Sequence, residues 1–421
     1  MGIASALYSG VSGLNTNGQA MSVIGNNLAN TNTIGFKGAR TVFSNLLSAS
    51  IAGSGGKSQV GRGVGMSIVD NIYSQGTFET TESGLDVAIE GEGFFMLKQP
   101  GDNTAYYSRA GAFRFDENGY LVNPEGFRVQ GQPYDAAGVL IPGDPHDIYV
   151  SNAGLIKARS TTTVTLNTNL DSGERIITAA YDPADTSTFN YSSSTQTYDS
   201  LGNPHLLTTY FRKTDQNEWE WHWSTDVNGT VMEGLGGSLY FTPEGQLTDT
   251  AGNTVPVDYP ITAVIPAIDW QNGTTPTAIT LTFNTTQFNS ASMVISQDQD
   301  GYGAGDLTGI GIDPDGAVIA SYSNGEQVKV SNLVLARFTN PNGLDSTGSN
   351  TYIATNQSGA PRIGLPGPEL GKVFTNSLEM SNVDMGSEFV RMITTQRGFQ
   401  ANSKIITTVD DMLGDLINLK R

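Results

Sequence analysis

The sequence predicts a mainly β, nested multidomain protein with an α-helix at each end of the chain. Apolar residues repeat every seven positions near both termini, and alternating strand and turn patterns fill the region between them. The same order of strands and turns also occurs twice, far apart in the chain, which indicates that one β domain is interrupted by a second. A length of 421 residues is sufficient for two or three domains of about 150 residues each.

The N-terminal helix is predicted within residues 1–30. A single apolar stripe at heptad spacing is formed by Leu7, Val11, Leu14, Met21, Ile24 and Leu28. Four glycines, Gly10, Gly13, Gly18 and Gly25, interrupt this helix, and each costs about 1 kcal/mol relative to Ala. We therefore expect the helix to be largely unfolded in isolation and to need a packing partner.

The C-terminal region, residues 372–421, carries a second and stronger heptad stripe. It comprises Met385, Met392, Phe399, Ile406, Val409, Leu413 and Leu416. Two such helices at opposite ends of one chain are predicted to pair as a coiled coil, within a subunit or with neighbouring copies. The alternative is that each end is an ordinary amphipathic helix docked on its own domain. Pairing is favoured because no other helical domain is predicted.

Turn residues divide the central region into β-hairpins. Asn-Gly and Pro-x-Gly turns separate three short strands between Phe113 and Val129, and the same order recurs between Ile310 and Val330. The two segments predict one inner β domain, made of residues 71–149 and 299–357.

The residues between these two halves, 150–298, form the predicted insertion, an outer β domain. Its strands are separated by turn clusters at the spacing typical of a sandwich or barrel. Segments 31–70 and 358–371 are rich in Gly, Ser, Asn or Pro, so they are expected to be connectors between the β domains and the helical ends.

Composition excludes several classes of protein. The formal charge of −19 argues against nucleic-acid binding, and the absence of Cys removes disulfides, thiol nucleophiles and thiolate metal sites. No apolar run is long enough for membrane insertion, and the N-terminus lacks a secretory signal pattern. Charge is uneven, since Met1 to Val69 contains no Asp or Glu. The two regions are expected to face different surroundings.

No pattern of residues predicts catalysis, a cofactor or a metal site. Trp219, Trp221 and Trp223 share one face of a predicted strand and could stack a sugar, but a sandwich core with Glu220 and His222 turned to solvent is the favoured interpretation. The acids between Asp298 and Asp315 lack the bidentate Glu of an EF-hand, so they are interpreted as turn caps. We therefore expect a protein that is not an enzyme.

Three motifs resemble those of bacterial flagellar rod and hook proteins. The first contains Asn26, Asn27, Asn30, Gly35, Phe36 and Lys37. The second contains Leu85, Asp86, Gly91, Gly93, Phe94 and Phe95. The third contains Asn382, Val383, Arg397, Gly398, Phe399 and Asn402. The resemblance covers both ends and the inner β domain well, and the insertion only loosely.

The length and the inserted domain resemble the hook members of this axial family more than the shorter distal rod members, which are the alternative within it. The resemblance implies a self-polymerising structural subunit of a curved, flexible tube that works as a universal joint between rod and filament. It further implies contacts with distal rod, hook cap and hook-filament junction proteins, and export by the type III apparatus to the cell exterior without a cleaved signal. A secreted carbohydrate-binding or adhesive β protein is the alternative of a different class.

Overall fold

The computed structural model describes residues 2–46, 49–53, 56–135, 138–150, 154–249 and 261–418. The chain forms two compact units. The first contains Met1–Asn152, Ile310–Ala320 and Val328–Arg421, and the second contains Ala153–Gly309 and Ser321–Gln327. Helices α1 (Gly2–Ala29) and α2 (Met385–Asn418) belong to the first unit. In the part of the chain described here, no helix has the length and apolar character needed to cross a bilayer.

Most of the remaining elements are strands. Up to residue 150 they are β1 (Ala39–Asn45), β2 (Ala49–Gly53), β3 (Gly56–Val60), β4 (Val64–Asn71), β5 (Phe78–Thr80), β6 (Val87–Glu90), β7 (Phe94–Lys98), β8 (Ala105–Ser108), β9 (Arg114–Phe115), β10 (Leu121–Val122), β11 (Arg128–Pro133) and β12 (His146–Asp147). Up to residue 300 they are β13 (Leu155–Ile156), β14 (Thr163–Asp171), β15 (Tyr191–Tyr198), β16 (Pro204–Asp215), β17 (Glu218–Val227), β18 (Thr230–Phe241), β19 (Leu247–Thr248), β20 (Ile261–Ile268), β21 (Thr277–Phe283), β22 (Thr286–Phe288) and β23 (Met293–Gln299). The last are β24 (Gly305–Ile312), β25 (Ala317–Tyr322), β26 (Gln327–Leu333), β27 (Leu335–Arg337), β28 (Asp345–Gly348), β29 (Thr351–Ile353), β30 (Arg362–Gly364), β31 (Lys372–Thr375) and β32 (Ser377–Glu379). The predicted fold class, mainly β with a helix at each end, is confirmed.

In the first unit, β7 lies near the centre of a sheet with the strand order β26-β11-β7-β8-β29-β28. Successive side chains of a strand point to opposite faces. Phe95 and Leu97 therefore enter one hydrophobic core, while Phe94 and Met96 enter another. Since both faces are covered, all four side chains are buried. The two predicted hairpins before Val129 are present, because β10 pairs with both β9 and β11.

The segments expected to be connectors contain strands. Within 31–70, β1 pairs with β4 and β2 pairs with β3, both antiparallel, and 358–371 contains β30. The C-terminal region, 372–421, begins with β31 and β32, which pair with β6 and β5 before α2 starts. β31 and β32 have only four and three residues, too few to show an alternation of apolar and polar side chains. Their partner strands are also distant in the chain, so the sequence does not reveal them.

The second unit is a β sandwich. One sheet is the antiparallel series β15-β16-β17-β18-β19, and the other has the order β20-β21-β14-β22 with β23 also paired to β14. Side chains from both sheets form one hydrophobic core, in which the largest fully buried residues are Trp219, Trp221, Phe211 and Phe283. Burial of these rings stabilises the unit by roughly 2–3 kcal/mol each.

The structure supports the core interpretation of β17. Trp219, Trp221 and Trp223 are at most 6% exposed, so they offer no stacking platform to a carbohydrate. The expectation that His222 faces solvent is wrong, because the side chain is only 9% exposed. The ring of Tyr181, from the β14–β15 connection, stacks on the imidazole at a centroid distance of 3.9 Å. The periodicity of one strand cannot show that a side chain from another segment will shield one of its residues from solvent.

Replacing Gly236 with Ala should destabilise the second unit. A Cβ atom at this position of β18 would overlap the indole ring of Trp221, and overpacking of this kind costs about 1–3 kcal/mol. Gly309 has open space around it, so Gly309→Ala is the matched control and should change the free energy of unfolding by less than about 0.5 kcal/mol. All four Trp lie in this unit, so denaturant unfolding followed by Trp fluorescence measures both variants. Equal unfolding midpoints would contradict the prediction.

Candidate assembly site

The terminal helices α1 and α2 pack against each other in antiparallel orientation. Gly10 lies beside Ile406 and Gly13 beside Asn402, so the residue number falls along α2 as it rises along α1. A Cβ atom on Gly13 would be 2.6 Å from the Asn402 side-chain amide. The absence of side chains at these glycines therefore allows close approach of the two helices. Gly18 and Gly25, in contrast, face open space.

The thirteen residues predicted to form the assembly stripes differ in burial within one chain. Ile24 and Val409 are buried. Partly buried are Leu7, Leu14, Met21, Leu28, Met392 and Ile406. Exposed by 40% or more are Val11, Met385, Phe399 and Leu413, while the side chain of Leu416 lies outside the described residues. The helix pair thus covers the stripes only in part.

A further set of exposed apolar side chains on the helix pair lies outside the predicted heptad stripes. Tyr8 is 70% exposed and Val390 is 62% exposed, and the set continues on α2 with Phe389, Ile393, Ile405 and Met412. The spacing of 389, 390 and 393 is itself a helical pattern, so a second stripe could have been recognised. Neighbouring exposed apolar side chains such as Phe389, Val390 and Ile393 are typical of protein interaction sites.

A buried ionic cluster, which we call the junction, lies where the terminal segments meet the β strands of the first unit. Its centre is the carboxylate of Glu379, which is fully buried. Lys37 Nζ lies 2.6 Å from Glu379 Oε1, and an Arg109 guanidinium nitrogen lies 3.4 Å from Oε2. The Gly76 N–H also donates to Oε1, at 2.9 Å. Burial lowers the pKa of Lys37 and of Arg109, while the Glu379 carboxylate acts in the opposite direction on both.

Two motif asparagines extend the junction toward the helices. Asn27 of α1 accepts from Ala39 N–H at 2.9 Å and donates to its carbonyl at 2.7 Å, and its Nδ2 also lies 3.4 Å from Glu388 Oε2 on α2. Asn382 accepts from Gly38 N–H at 2.8 Å and donates to the Ile72 carbonyl at 2.7 Å. Each amide satisfies backbone groups that a strand partner would otherwise satisfy.

Other motif residues meet backbone requirements around the junction. Gly35 has φ +69°, and a Cβ there would lie 2.6 Å from Ala110 N, so only glycine fits. A Cβ on Gly93 would overlap the Leu370 carbonyl oxygen, and the Gly91 carbonyl accepts from Arg109 at 2.6 Å.

The remaining motif residues lie on the helices and in the core. Asn30 donates to the Asn26 carbonyl at 2.9 Å and closes the end of α1. Asn402 packs on Gly13, and Gly398 lies beside Asn17. In the β region, Phe36 is partly buried, Leu85 packs on the core, and Asp86 forms a β-bridge with Ala112. Phe94 and Phe95 are buried on β7, and Val383 lies beside Gly38. Arg397 and Phe399 are exposed on α2.

Sequence reasoning did not select Arg109 or Glu379 as site residues. Lys37 was identified only through its motif, and nothing in its neighbourhood indicates partners so distant in sequence. A signal was nevertheless present, because Lys37 lies in an acid-free segment and a buried cation needs an anion from elsewhere in the chain.

In the second unit, Asp199 anchors the turn between β15 and β16. Its buried carboxylate accepts from His205 at 3.0 Å, from the Asn203 side chain at 3.0 Å and from Asn272 at 2.6 Å. The His205 ring stacks on Trp270 at 3.7 Å. Burial alone would raise the pKa of Asp199, but hydrogen bonds from His205, Asn203 and Asn272 outweigh it and hold that pKa well below its ordinary range.

Four family models match the chain. The flagella basal body rod protein model matches residues 7–37, and the flagellar hook protein FlgE/F/G D1 domain model matches 88–158. The flagellar basal body protein FlaE D2 domain model matches 169–302, and the flagellar basal body rod FlgEFG protein C-terminal model matches 375–419. The helical ends and the β regions together therefore define an axial protein of the bacterial flagellum.

Relatives of known name define the member more closely. The flagellar hook protein FlgE of Borreliella burgdorferi is 36% identical, with 99% of each chain covered. Those of Salmonella typhimurium and Escherichia coli are 36% and 34% identical, with at least 97% of each chain covered. The chain belongs to the flagellar hook protein family, and it is a structural subunit of the hook, outside the cell.

A solved structure shares the fold. The crystal structure of Helicobacter pylori flagellar hook protein FlgE2 aligns with a TM-score of 0.50 at 15% sequence identity. The alignment covers 72% of this chain and all of that one. At this level of identity the similarity concerns the fold alone.

Replacing Gly13 with Ala should weaken the helix pair. The new methyl group would displace the Asn402 side chain, which donates to the Gly398 carbonyl at 2.9 Å. Gly18→Ala is the matched control on the same helix, and because its surroundings are open it should stabilise α1 by about 1 kcal/mol. The dissociation temperature of assembled hooks measures both, and we expect Gly13→Ala to lower it and Gly18→Ala to raise it. A rise in both would show that α1 and α2 do not approach closely at Gly13.

Asp199→Asn should remove part of the acid sensitivity of the second unit. The folded-state pKa of Asp199 lies below the unfolded value of about 3.9. Its contribution to stability is therefore complete above the unfolded-state pKa. As the pH falls below that value and through the folded-state pKa, the contribution is lost, by at most about 1.4 kcal/mol per pH unit. Unfolding followed by Trp fluorescence should show a wild-type advantage that is constant from about pH 5 to 7 and shrinks below about pH 4. An advantage independent of pH would contradict this.

Proposed function

We propose that this chain polymerises with copies of itself into a short, curved, flexible tube that transmits torque from rod to filament as a universal joint. The observation that carries the proposal is the apolar surface left exposed on the helix pair, including Val390 at 62% and Phe389 at 48%. Surface of this kind on both helices favours burial against neighbouring copies. A heterologous contact that does not close into a ring generates a helical polymer.

The terminal helices are proposed to form the inner layer of the tube and to order fully only on assembly. Over its 28 residues α1 has no acidic or basic side chain and five glycines, so little favours the helix in isolation. Neighbouring copies supply the burial that offsets its conformational entropy. Protease-sensitive ends in the free monomer are the corresponding expectation.

The β units are proposed to form the compliant outer layers. In a bent rotating tube, subunits must approach on the inner side and separate on the outer side once per revolution. Polar, hydrated contacts permit such sliding, because water replaces each hydrogen bond that is lost. The abundance of Ser, Thr, Asn and Gly in these units suits this role.

We further propose the distal rod, the hook cap and the hook-filament junction proteins as partners, and type III export of the unfolded chain without a cleaved signal. The absence of Cys is consistent with threading and assembly outside the cell. The proposal assigns no catalytic role, no cofactor and no metal to the chain. A rod-type role is less well supported, because the named relatives that match nearly the whole chain are hook proteins.

Electron microscopy of the purified chain under polymerising conditions tests this function. Short curved tubes are expected, and persistent monomers would contradict the proposal. Val390→Ser should raise the critical concentration about tenfold, because burial of a Val side chain is worth about 1.5 kcal/mol or more. Gln400→Ser, at an exposed polar position on the same helix, is the control and should change it little. The melting temperature of the β units should be the same in both variants.

A further inference from the structure

The two segments that join the terminal helices to the β strands are tied to each other. One follows the end of α1 and the other precedes the start of α2. Gly35 N–H donates to the Glu379 carbonyl at 2.7 Å, and Gly38 N–H donates to Asn382 Oδ1 at 2.8 Å. The ion pair between Lys37 and Glu379 joins the same two segments. These contacts hold the adjoining ends of the two helices side by side.

We propose that the junction acts as a staple for helix pairing, in which Lys37, Glu379 and Asn382 position the bases of α1 and α2 before assembly. The three are positioning residues, because they lie at the base of the helix pair and not on its exposed apolar surface. The inference rests on the proposed function, since a staple matters only if the helices become ordered on polymerisation.

The benefit of the staple is entropic. Residues 30–384 separate the two helices in sequence. Pairing of β31 with β6 and of β32 with β5 already shortens the free chain between them. The junction shortens it further, which lowers the entropy of bringing the helices together, because that entropy grows with the length of free chain. When the bases are tied, pairing becomes a local event with an effective concentration in the millimolar range. Assembly then has to order two adjacent segments, not two independent ones.

The charges of the junction determine which variant tests the staple. The junction contains two cations, Lys37 and Arg109, and one carboxylate, Glu379, all buried. Lys37→Met leaves Arg109 and Glu379 as a neutral pair within the unit. Glu379→Gln leaves two cations without an anion, and an uncompensated buried charge is strongly destabilising. We therefore expect Lys37→Met to fold and Glu379→Gln to unfold the unit.

The experiment compares Lys37→Met, alone and combined with Asn382→Ala, with a control in the core of the same unit. Val129 is 1% exposed on β11, and Val129→Ala should lower the melting temperature through a cavity without touching the junction. For each full-length chain, the critical concentration for polymerisation and the melting temperature of the first unit are measured. We expect the double variant to raise the critical concentration about tenfold, Lys37→Met to raise it less, and Val129→Ala to leave it near the wild-type value.

The outcomes separate the staple from the proposed function. If wild-type chains do not polymerise, the proposed function fails. If wild-type chains polymerise, the critical concentration of each variant is plotted against its melting temperature. The staple is refuted if Val129→Ala and the junction variants fall on one line in that plot. A junction variant that melts like wild type but polymerises poorly supports it. Limited proteolysis provides a second measurement, since cleavage within α1 and α2 of assembled hooks should be faster in the double variant than in the control.

Discussion

Burial of one carboxylate constrains much of the first unit. Removing an ionised group from water costs several kcal/mol unless partners of opposite charge and hydrogen-bond donors surround it. Glu379 meets this requirement with Lys37, Arg109 and the Gly76 N–H, and each comes from a different part of the chain. Neither terminal segment can therefore adopt its folded position independently of the other segment or of the β strands. Asn27 and Asn382 extend the same constraint to the helices through backbone groups.

The helix pair combines two kinds of contact that serve different purposes. Close approach at Gly10 and Gly13 brings the backbones together through small residues, while several long apolar side chains of the pair remain exposed. Those side chains, such as Phe389 and Ile393, are then available to other molecules. The same glycines that weaken α1 as an isolated helix therefore permit the pairing that gives it a partner.

Sequence patterns predicted the elements whose signals are local. The heptad stripes, the hairpins around Leu121 and the core face of β17 all follow from periodicities of seven and two. The sequence indicates that a buried Lys37 would need a distant anion, but it could not identify Glu379, because the two residues are remote in sequence and no periodicity relates them. His222 was misplaced for a similar reason, since the ring that covers it belongs to another segment. Gly13 was interpreted through its intrinsic propensity, whereas its role depends on Asn402 across the helix pair.

The lack of any acidic or basic side chain in α1 has a consequence for the medium in which the protein works. Contacts made by apolar, amide and hydroxyl groups do not titrate in the physiological pH range and are little affected by ionic screening. The contacts that α1 makes through its own side chains should thus keep nearly the same strength in fresh water, in brine and in mildly acidic surroundings. Sensitivity to pH and to salt is left to α2 and the β units, which carry the charged side chains.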